Sequence, residues 1–393
     1  MTSRSLCVLN AGSSSLKFAL YRVAEDGVPR RAQSGLVERI GGEGRLVIEP
    51  ADGGARRQQA VPAADHAQAL AALAAVPDGP LTAPGLAGFG HRVVHGGPAL
   101  TTPVLVDAAT LAQIDALSPL APLHNPPAVA VLRTIAARFP GVPQIACFDT
   151  AFHRGHPPVA DRFAIPDALY QEGVRRYGFH GLSYEYIAGA LAERYPTVAA
   201  GRVVVAHLGS GASMCALADG HSVDSSMGFT ALDGLPMGTR SGSLDSGVIL
   251  WLQQQKGWTV DHVEHFLYEE CGLKGMSGVS NDMRTLLASE LPLARLAVGY
   301  FVYHAARTAA ALASSMGGID AFVFTAGIGE HSAEIRARVL RRLAWLGFAL
   351  DAAANQQGGP CLTEAGSARP AFVIPTDEEI VIARHTLALI GGG

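Results

Sequence analysis

Two segments of this 393-residue chain gather phosphate-handling groups into turns of small residues. In VLNAGSSSLKF (8–18), an apolar run delivers Asn10, Ser13, Ser14, Ser15 and Lys17 into a tight turn. Backbone N–H groups approach a phosphate closely where side chains are small; hydroxyls add donors, and lysine adds charge. An ordinary Ser-rich hairpin has the same composition, and the G-x-x-x-x-G-K-[ST] spacing of a Walker A loop is absent. AHLGSGAS (206–213) repeats the design. Two such loops can clasp one polyphosphate from opposite sides, which points to a two-domain phosphotransferase.

Two arginines stand among glycines. GFGHRVVHGG (88–97) sets Arg92 on a short strand between His91 and His95, and DGLPMGTRSGSLD (233–245) sets Arg240 in a loop. A lone arginine is most often solvated or salt-bridged. His180 lies among aromatic residues and glycines in RYGFHGLS (176–183), while Asp149 and His153 share ACFDTAFH (146–153). His91, His95 and His153 read equally well as hydrogen-bonded structural groups. No pair has HExxH or other zinc-ligand spacing, which argues against a structural metal.

The elements that must position these residues alternate between short β-type runs and Ala-rich helical stretches, the pattern of an α/β fold. The apolar run 6–9 ends in AGSSS and resumes as LKFALYRV (16–23); VVVAHL (203–208), GSGAS and MCALADG (214–220) repeat that plan, a weak internal duplication. AFVFTAG (321–327) is a third strand-to-small-residue junction, followed by a helix with Ile335, Val339, Leu343 and Leu346 at helical spacing. Asp65 opens a helix that stops at Pro77-Asp78-Gly79, and Asn125-Pro-Pro opens another ending near Pro140-Gly141. Residues 41–60 read as an exposed hairpin excursion, and 354–371 as a surface connection to a last strand, FVIP (372–375), before a closing helix from Asp377.

Composition narrows the class. Hydrophobic residues make up 49% and charged residues only 16%, so disorder driven by charge is excluded. A net charge of -4 without blocks of like charge disfavours a polybasic nucleic-acid or membrane-surface binder. No run reaches the 18 or more apolar residues of a membrane span, and no signal peptide is expected. Cys7, Cys147, Cys215, Cys271 and Cys361 occur singly and read as reduced core thiols of a cytoplasmic protein.

Ten segments together resemble the acetate kinase family: VLNAGSSSLKF, GHRVVHGG, LAPLHNPP, FDTAFH, YGFHGLS, HLGSGAS, DSSMGFTALDG, MGTRSGS, FTAGIGE and IPTDEEIVIAR. They follow the family's order from residue 8 to residue 384 and so span essentially the whole chain. The resemblance implies two related α/β domains of the actin/sugar kinase/Hsp70 type with an interdomain nucleotide cleft. Residues 1–148 with 377–393 would form one domain and 149–376 the nucleotide-binding domain. It further implies reversible transfer of the ATP γ-phosphoryl group to acetate, giving acetyl phosphate and ADP, by a cytoplasmic homodimer without nucleic-acid or membrane partners.

By the same resemblance, Arg92, Arg240, His180 and Asp149 are the catalytic residues. Arg92, Val94, Leu123, Phe179 and Ala231 meet the carboxylate substrate. Asn10 and Glu378 correspond to a site for Mg2+ or Mn2+, although Glu378 also suits the start of a helix. The nucleotide falls to Lys17, Ser13, Ser15, His207, Leu208, Gly209, Ser210, Gly211, Asp282, Met283, Arg284, Gly327, Ile328, Gly329, Glu330 and His331. A carboxylate acceptor is already ionised at neutral pH and needs no base, so Asp149 is expected to orient an arginine or a metal-bound water.

Three positions depart from the family pattern: Ser210 and His331 where Asn is usual, and Ala231 where Pro is usual. The first two bear on the phosphate contacts and base preference. The third removes two ring carbons from the acid pocket, which favours propionate relative to acetate, since each methylene in apolar surroundings is worth about 0.8 kcal/mol. Propionate or butyrate kinase is the alternative within the family, and an ATPase of the actin type the alternative outside it.

Overall fold

A computed structural model describes residues 4–391, which form two compact units: residues 4–152 with 377–391, and residues 153–376. The boundary expected after residue 148 falls after Phe152, which leaves Asp149 on the same unit as Arg92. No described helix is long and apolar enough to cross a membrane.

The first unit is built on an eight-stranded sheet ordered β5-β4-β3-β2-β1-β6-β8-β7. Its strands are β1 (Arg4–Ala11), β2 (Ser15–Val23), β3 (Pro29–Glu38), β4 (Gly42–Pro50), β5 (Arg57–Ala63), β6 (Leu86–Val93), β7 (Val104–Leu105) and β8 (Gln144–Phe148). β1, β6 and β8 are parallel, and their near-continuous apolar sequences are buried on both faces, as parallel strands require. Helices His66–Ala74 and Asn125–Arg138 cover one face, where Ala69, Leu70, Leu73, Val131 and Ile135 join Leu9, Phe18 and Phe89 in one core. Asp65 caps the first of these helices by accepting the Gln68 N–H at 2.8 Å.

Residues 41–60 are not an excursion. They form β4 and the start of β5 at the sheet edge, and Leu46 and Ile48 belong to the core. The low apolar content of the stretch reflects an edge hairpin with one solvated face.

The closing helix Glu378–Gly391 packs on β6, β1 and β8. Its close approach explains a glycine that reads from sequence as part of a ligand motif. A Cβ on Gly90 would collide with Thr386 Oγ1 and lie 2.5 Å from Ile382 Cγ2. Gly90 lets the helix sit directly on the strand, which brings Glu378 beside Arg92.

The second unit has a five-stranded sheet ordered β11-β10-β9-β12-β13. These are β9 (Arg202–Leu208), β10 (Ala212–Ala218), β11 (His221–Ser225), β12 (Ala321–Thr325) and β13 (Ala371–Val373). β9, β12 and β13 run parallel, and β9, the 209–211 turn and β10 repeat the strand–turn–strand plan of β1 and β2. The 24-residue helix Pro292–Ser315 lays Ala294, Ala297, Val298, Phe301, Ala305 and Ala309 on the buried side at helical spacing. Its other side exposes Leu293, Leu296 and Tyr303.

Two details differ from the sequence reading. The helix carrying Ile335 and Val339 ends at Arg342; Leu343 is still buried, but Leu346 belongs to a separate 3-10 turn. Residues 354–371 are no mere surface connection: they begin in the helix Ala352–Gln357, Leu362 is fully buried, and Cys361 bridges Phe372.

Two alanine substitutions are expected to act in opposite directions. Gly90→Ala overpacks the strand–helix contact and should destabilise by about 1–3 kcal/mol. Gly189→Ala, where nothing lies within 4 Å of the added carbon in an exposed helical position, should stabilise by about 0.5–1 kcal/mol. Urea midpoints of the two variants check both signs.

Candidate active site

On the first unit, the carboxyl ends of the parallel strands carry the charged groups, the usual place for a ligand in an open α/β sheet. Asn10 on β1 and Arg92 on β6 are register partners, and Asp149 follows β8. Asp149 is 99% buried and binds Arg92 in a fork: Nε donates to Oδ1 at 2.9 Å and Nη2 to Oδ2 at 2.6 Å. Burial works against the Arg92 charge, but Asp149 and Glu378 more than offset it and its pKa rises. The loop beyond β6 is pinned by buried Asn125, which accepts the His95 N–H and donates to the His95 carbonyl, both at 3.1 Å.

Glu378 opens the closing helix with one carboxylate oxygen 3.7 Å from Arg92 Nε. Burial pushes its pKa up; Arg92 and Lys17 oppose that, while Asp149 and Glu379 reinforce it. The oxygen donors of Glu378 and Asn10 suit a hard divalent cation that keeps much of its hydration.

On the second unit, the Gly209–Gly211 turn follows β9, with the Gly209 N–H bonded to the Gly211 carbonyl at 3.0 Å. A Cβ on Gly211 would lie 2.8 Å from Arg240 Nη2 and 3.4 Å from His180 Nε2. A guanidinium nitrogen and a ring nitrogen of His180 thus converge on one spot that only glycine leaves open. Arg240 donates from Nη1 to the Ala231 carbonyl at 2.8 Å and pairs with no carboxylate among the described residues. Burial lowers its pKa, but a guanidinium stays charged. His180 adopts a left-handed backbone, φ 57°, at the mouth of helix Gly181–Arg194, and its ring stacks on His207 at 4.1 Å and 10°.

Beside this turn lies a cavity of about 920 Å3 walled wholly by the second unit. Of the residues expected at a nucleotide, Gly209, Ser210, Asp282, Met283, Arg284, Gly327, Ile328 and His331 line it. His207 and Leu208 belong to β9. Ser13, Ser15 and Lys17 are carried by the β1–β2 turn and β2 of the first unit. Gly329 and Glu330 do not line the cavity. The Glu330 carboxylate is engaged by the Ala326 N–H at 2.8 Å and the Thr376 N–H at 3.2 Å, where Ala326 holds a left-handed φ of 64°. Asp282 caps its helix through the Arg284 and Thr285 N–H groups, and Arg284 pulls its carboxyl down to about 2.

Glu334, Ala337, Arg341 and Asn355 also line the cavity and were not foreseen. The signal was present: positions 334, 337 and 341 share the helix face opposite Ile335 and Val339. Arg336 gave no such signal. It is 1% exposed and donates four hydrogen bonds of 2.7–3.0 Å, to the Gly329 and Glu330 carbonyls and to Asn355, joining the short helices on either side of the cavity.

Residues 5–384 match the acetokinase family. The chain belongs to that family. It is 51% identical to the acetate kinase of Nitrobacter hamburgensis over 399 residues, covering 98% of this chain and 96% of the relative. It is likewise 51% identical to the acetate kinase of Rhizobium meliloti, covering 98% of each. Among solved structures, a propionate kinase from Francisella tularensis superposes with a TM-score of 0.91 at 36% identity, covering 98% of this chain and 99% of that one. The Porphyromonas gingivalis acetate kinase gives 0.88 at 31%, covering 98% and 100%.

In this acetokinase chain, His153 braces the loop that presents Phe179 and His180. Its Nε2 meets the Phe179 carbonyl at 3.0 Å and its Nδ1 the Ser222 hydroxyl at 2.8 Å, and His156 Nε2 reaches the same hydroxyl at 2.7 Å. Burial holds His153 at about 4 and His156 at about 2, and on the first unit burial holds His91 at about 3. All three fold as neutral rings. Below the ordinary value of about 6.5 the unfolded chain binds protons that the folded chain refuses, so stability falls with pH. Each ring should contribute a slope approaching 1.4 kcal/mol per pH unit between about pH 6 and pH 4.5. Unfolding followed at pH 7, 6 and 5, with proton uptake measured calorimetrically, checks the sign and the number of protons.

Proposed function

We propose that the protein transfers the γ-phosphoryl group of ATP reversibly to acetate, giving acetyl phosphate and ADP. The single observation that carries the mechanism is the convergence of Arg240 Nη2 and His180 Nε2 over Gly211, with no carboxylate bonded to the arginine among the described residues. Bringing a carboxylate against a phosphoryl group sets two negative charges about 4 Å apart, a repulsion on the order of 4 kcal/mol at an effective dielectric near 20. A fixed cation and an N–H donor at that point stabilise the charge that spreads over the phosphoryl oxygens during transfer.

The acid attacks as its ionised form. One carboxylate oxygen forms the new bond to the γ-phosphorus, the bond to the β–γ bridging oxygen breaks, and ADP leaves with that electron pair. Asp149 is no base in this scheme, because both its oxygens are committed to Arg92. It orients the Arg92 guanidinium for the acid and the transferring group. Asn10 and Glu378 would hold Mg2+ or Mn2+, which when bound spreads the polyphosphate charge. The 920 Å3 cavity suits a nucleoside, with Gly209 and Gly327 allowing close approach and Ile328 offering an apolar contact. Val94, Leu123 and Phe179 are assigned to the acid's apolar end. The same reading includes a cytoplasmic homodimer, supported by five free cysteines and by the exposed Leu293, Leu296, Tyr303 and Trp251.

With hydroxylamine present, ATP, Mg2+ and acetate should yield acetyl hydroxamate, whereas an ATPase of the actin type would release only phosphate. Arg240→Ala and Arg92→Ala should each lower kcat/KM by at least 100-fold, the scale of losing one donor at a developing charge.

A propionate preference is the second reading, favoured by Ala231, whose carbonyl holds Arg240. Ala231→Pro should shift the propionate-to-acetate ratio of kcat/KM toward acetate by about 1–3 kcal/mol; an unchanged ratio removes that reading.

A further inference from the structure

Tyr184 plays no part in the site as described so far, yet it is fully buried one helical turn beyond His180, its N–H bonded to the His180 carbonyl at 3.1 Å. Its hydroxyl and His180 Nδ1 reach the same atom, Ser213 Oγ, at 2.5 and 2.8 Å. Ser213 is also fully buried and sits at the start of β10, directly behind the Gly209–Gly211 turn. We propose that Tyr184, acting through Ser213, holds His180 in the tautomer that carries its proton on Nε2, the nitrogen that faces the open spot above Gly211. The inference rests on the phosphotransfer reading above, which puts a phosphoryl group at that spot.

The direction of the chain of hydrogen bonds follows from acidity and proton count. A phenol is a much stronger acid than an aliphatic alcohol, which favours Tyr184 as the donor to Ser213 over the reversed chain. The serine hydroxyl has one proton and two lone pairs. Accepting from Tyr184, it gives its own proton to His180 Nδ1. A neutral imidazole that accepts at Nδ1 carries its hydrogen on Nε2. The left-handed backbone of His180 and the stacked His207 ring then fix where that N–H points.

The alternative tautomer would present a lone pair to the phosphoryl oxygens, replacing an attractive contact by a repulsive one. Tyr184 is therefore a positioning residue: it touches no substrate and sets the polarity of a group that does. Because the effect falls on an interaction that strengthens as charge moves onto the phosphoryl oxygens, it belongs in kcat rather than in KM.

The test has two independent arms. In the first, the protein with 15N-labelled histidine and no substrate is observed by NMR. His180 is assigned through His180→Gln, and its Nε2 should appear protonated and its Nδ1 unprotonated. Tyr184→Phe and Ser213→Ala should both raise the population of the other tautomer. A protonated Nδ1 in the neutral ring of the native protein overturns the proposal whatever the reaction at this site.

In the second arm, Tyr184→Phe should lower kcat for acyl phosphate formation about tenfold, the effect of one misdirected charge-assisted hydrogen bond, with both KM values within about twofold. Ser213→Ala should cost at least as much. The double variant should be no worse than Ser213→Ala alone, because the hydroxyl, the one group that Tyr184→Phe removes, meets His180 through the serine. Additive losses, or KM shifts without a kcat loss, would indicate structural support alone and overturn the relay. Should His180→Gln itself retain full activity, the reading of the reaction fails, while the NMR arm still decides the tautomer.

Discussion

Each unit keeps a guanidinium group charged in a poorly solvated place while leaving it able to attract an anion. The two arginines meet that requirement differently. Arg92 is locked by both oxygens of buried Asp149, which fixes its plane and keeps its charge at the expense of some of its attraction for other anions. Arg240 is held by the neutral carbonyl of Ala231, so its orientation is set without a carboxylate bonded to it, and Tyr268 and Glu269 support its charge only from a distance. Burial then opposes that charge, and an anionic ligand relieves the opposition. A site arranged in this way is most stable when filled.

The supports are mostly backbone and neutral groups. Arg336 binds carbonyls and an amide rather than an acid, and Glu330 collects two N–H groups around a left-handed alanine. His153 props the Phe179 carbonyl as a neutral ring. Each of these satisfies a buried polar atom that would otherwise be costly to leave alone, and each fixes a loop that carries a chemical group. Rigid loops matter because transfer of a phosphoryl group offers little covalent chemistry for a protein to do beyond alignment and charge stabilisation.

The glycines of the signature segments divide along the same line. Gly211 leaves space for donor atoms, as a ligand-binding glycine does, whereas Gly90, in a segment that looks equally functional, leaves space for a helix. Both are required by close approach. Sequence alone does not separate them, because the obstructing atoms come from Arg240 and His180 in one case and from Ile382 and Thr386 in the other, all distant in the chain.

Local chemistry was legible throughout. The strand–turn–strand loops, the helix starts at Asp65 and Asn125 and the alternation of elements follow from residue type and short-range spacing, because turns, caps and periodicity are set by neighbours in the chain, whereas Arg92, His180 and Arg240 stand out from other arginines and histidines only through the resemblance of the whole set of segments. Tertiary structure decided everything that joins remote positions. It turned an apparent hairpin excursion into a sheet edge, gave Glu330 to the backbone and Asp149 to Arg92, and put Arg336 and the 334–341 face around a cavity. It also decided that Ser213 lies between Tyr184 and His180. The reason is that a side chain's partner is chosen by packing of whole elements, and a sequence records the donor but not what will be folded against it.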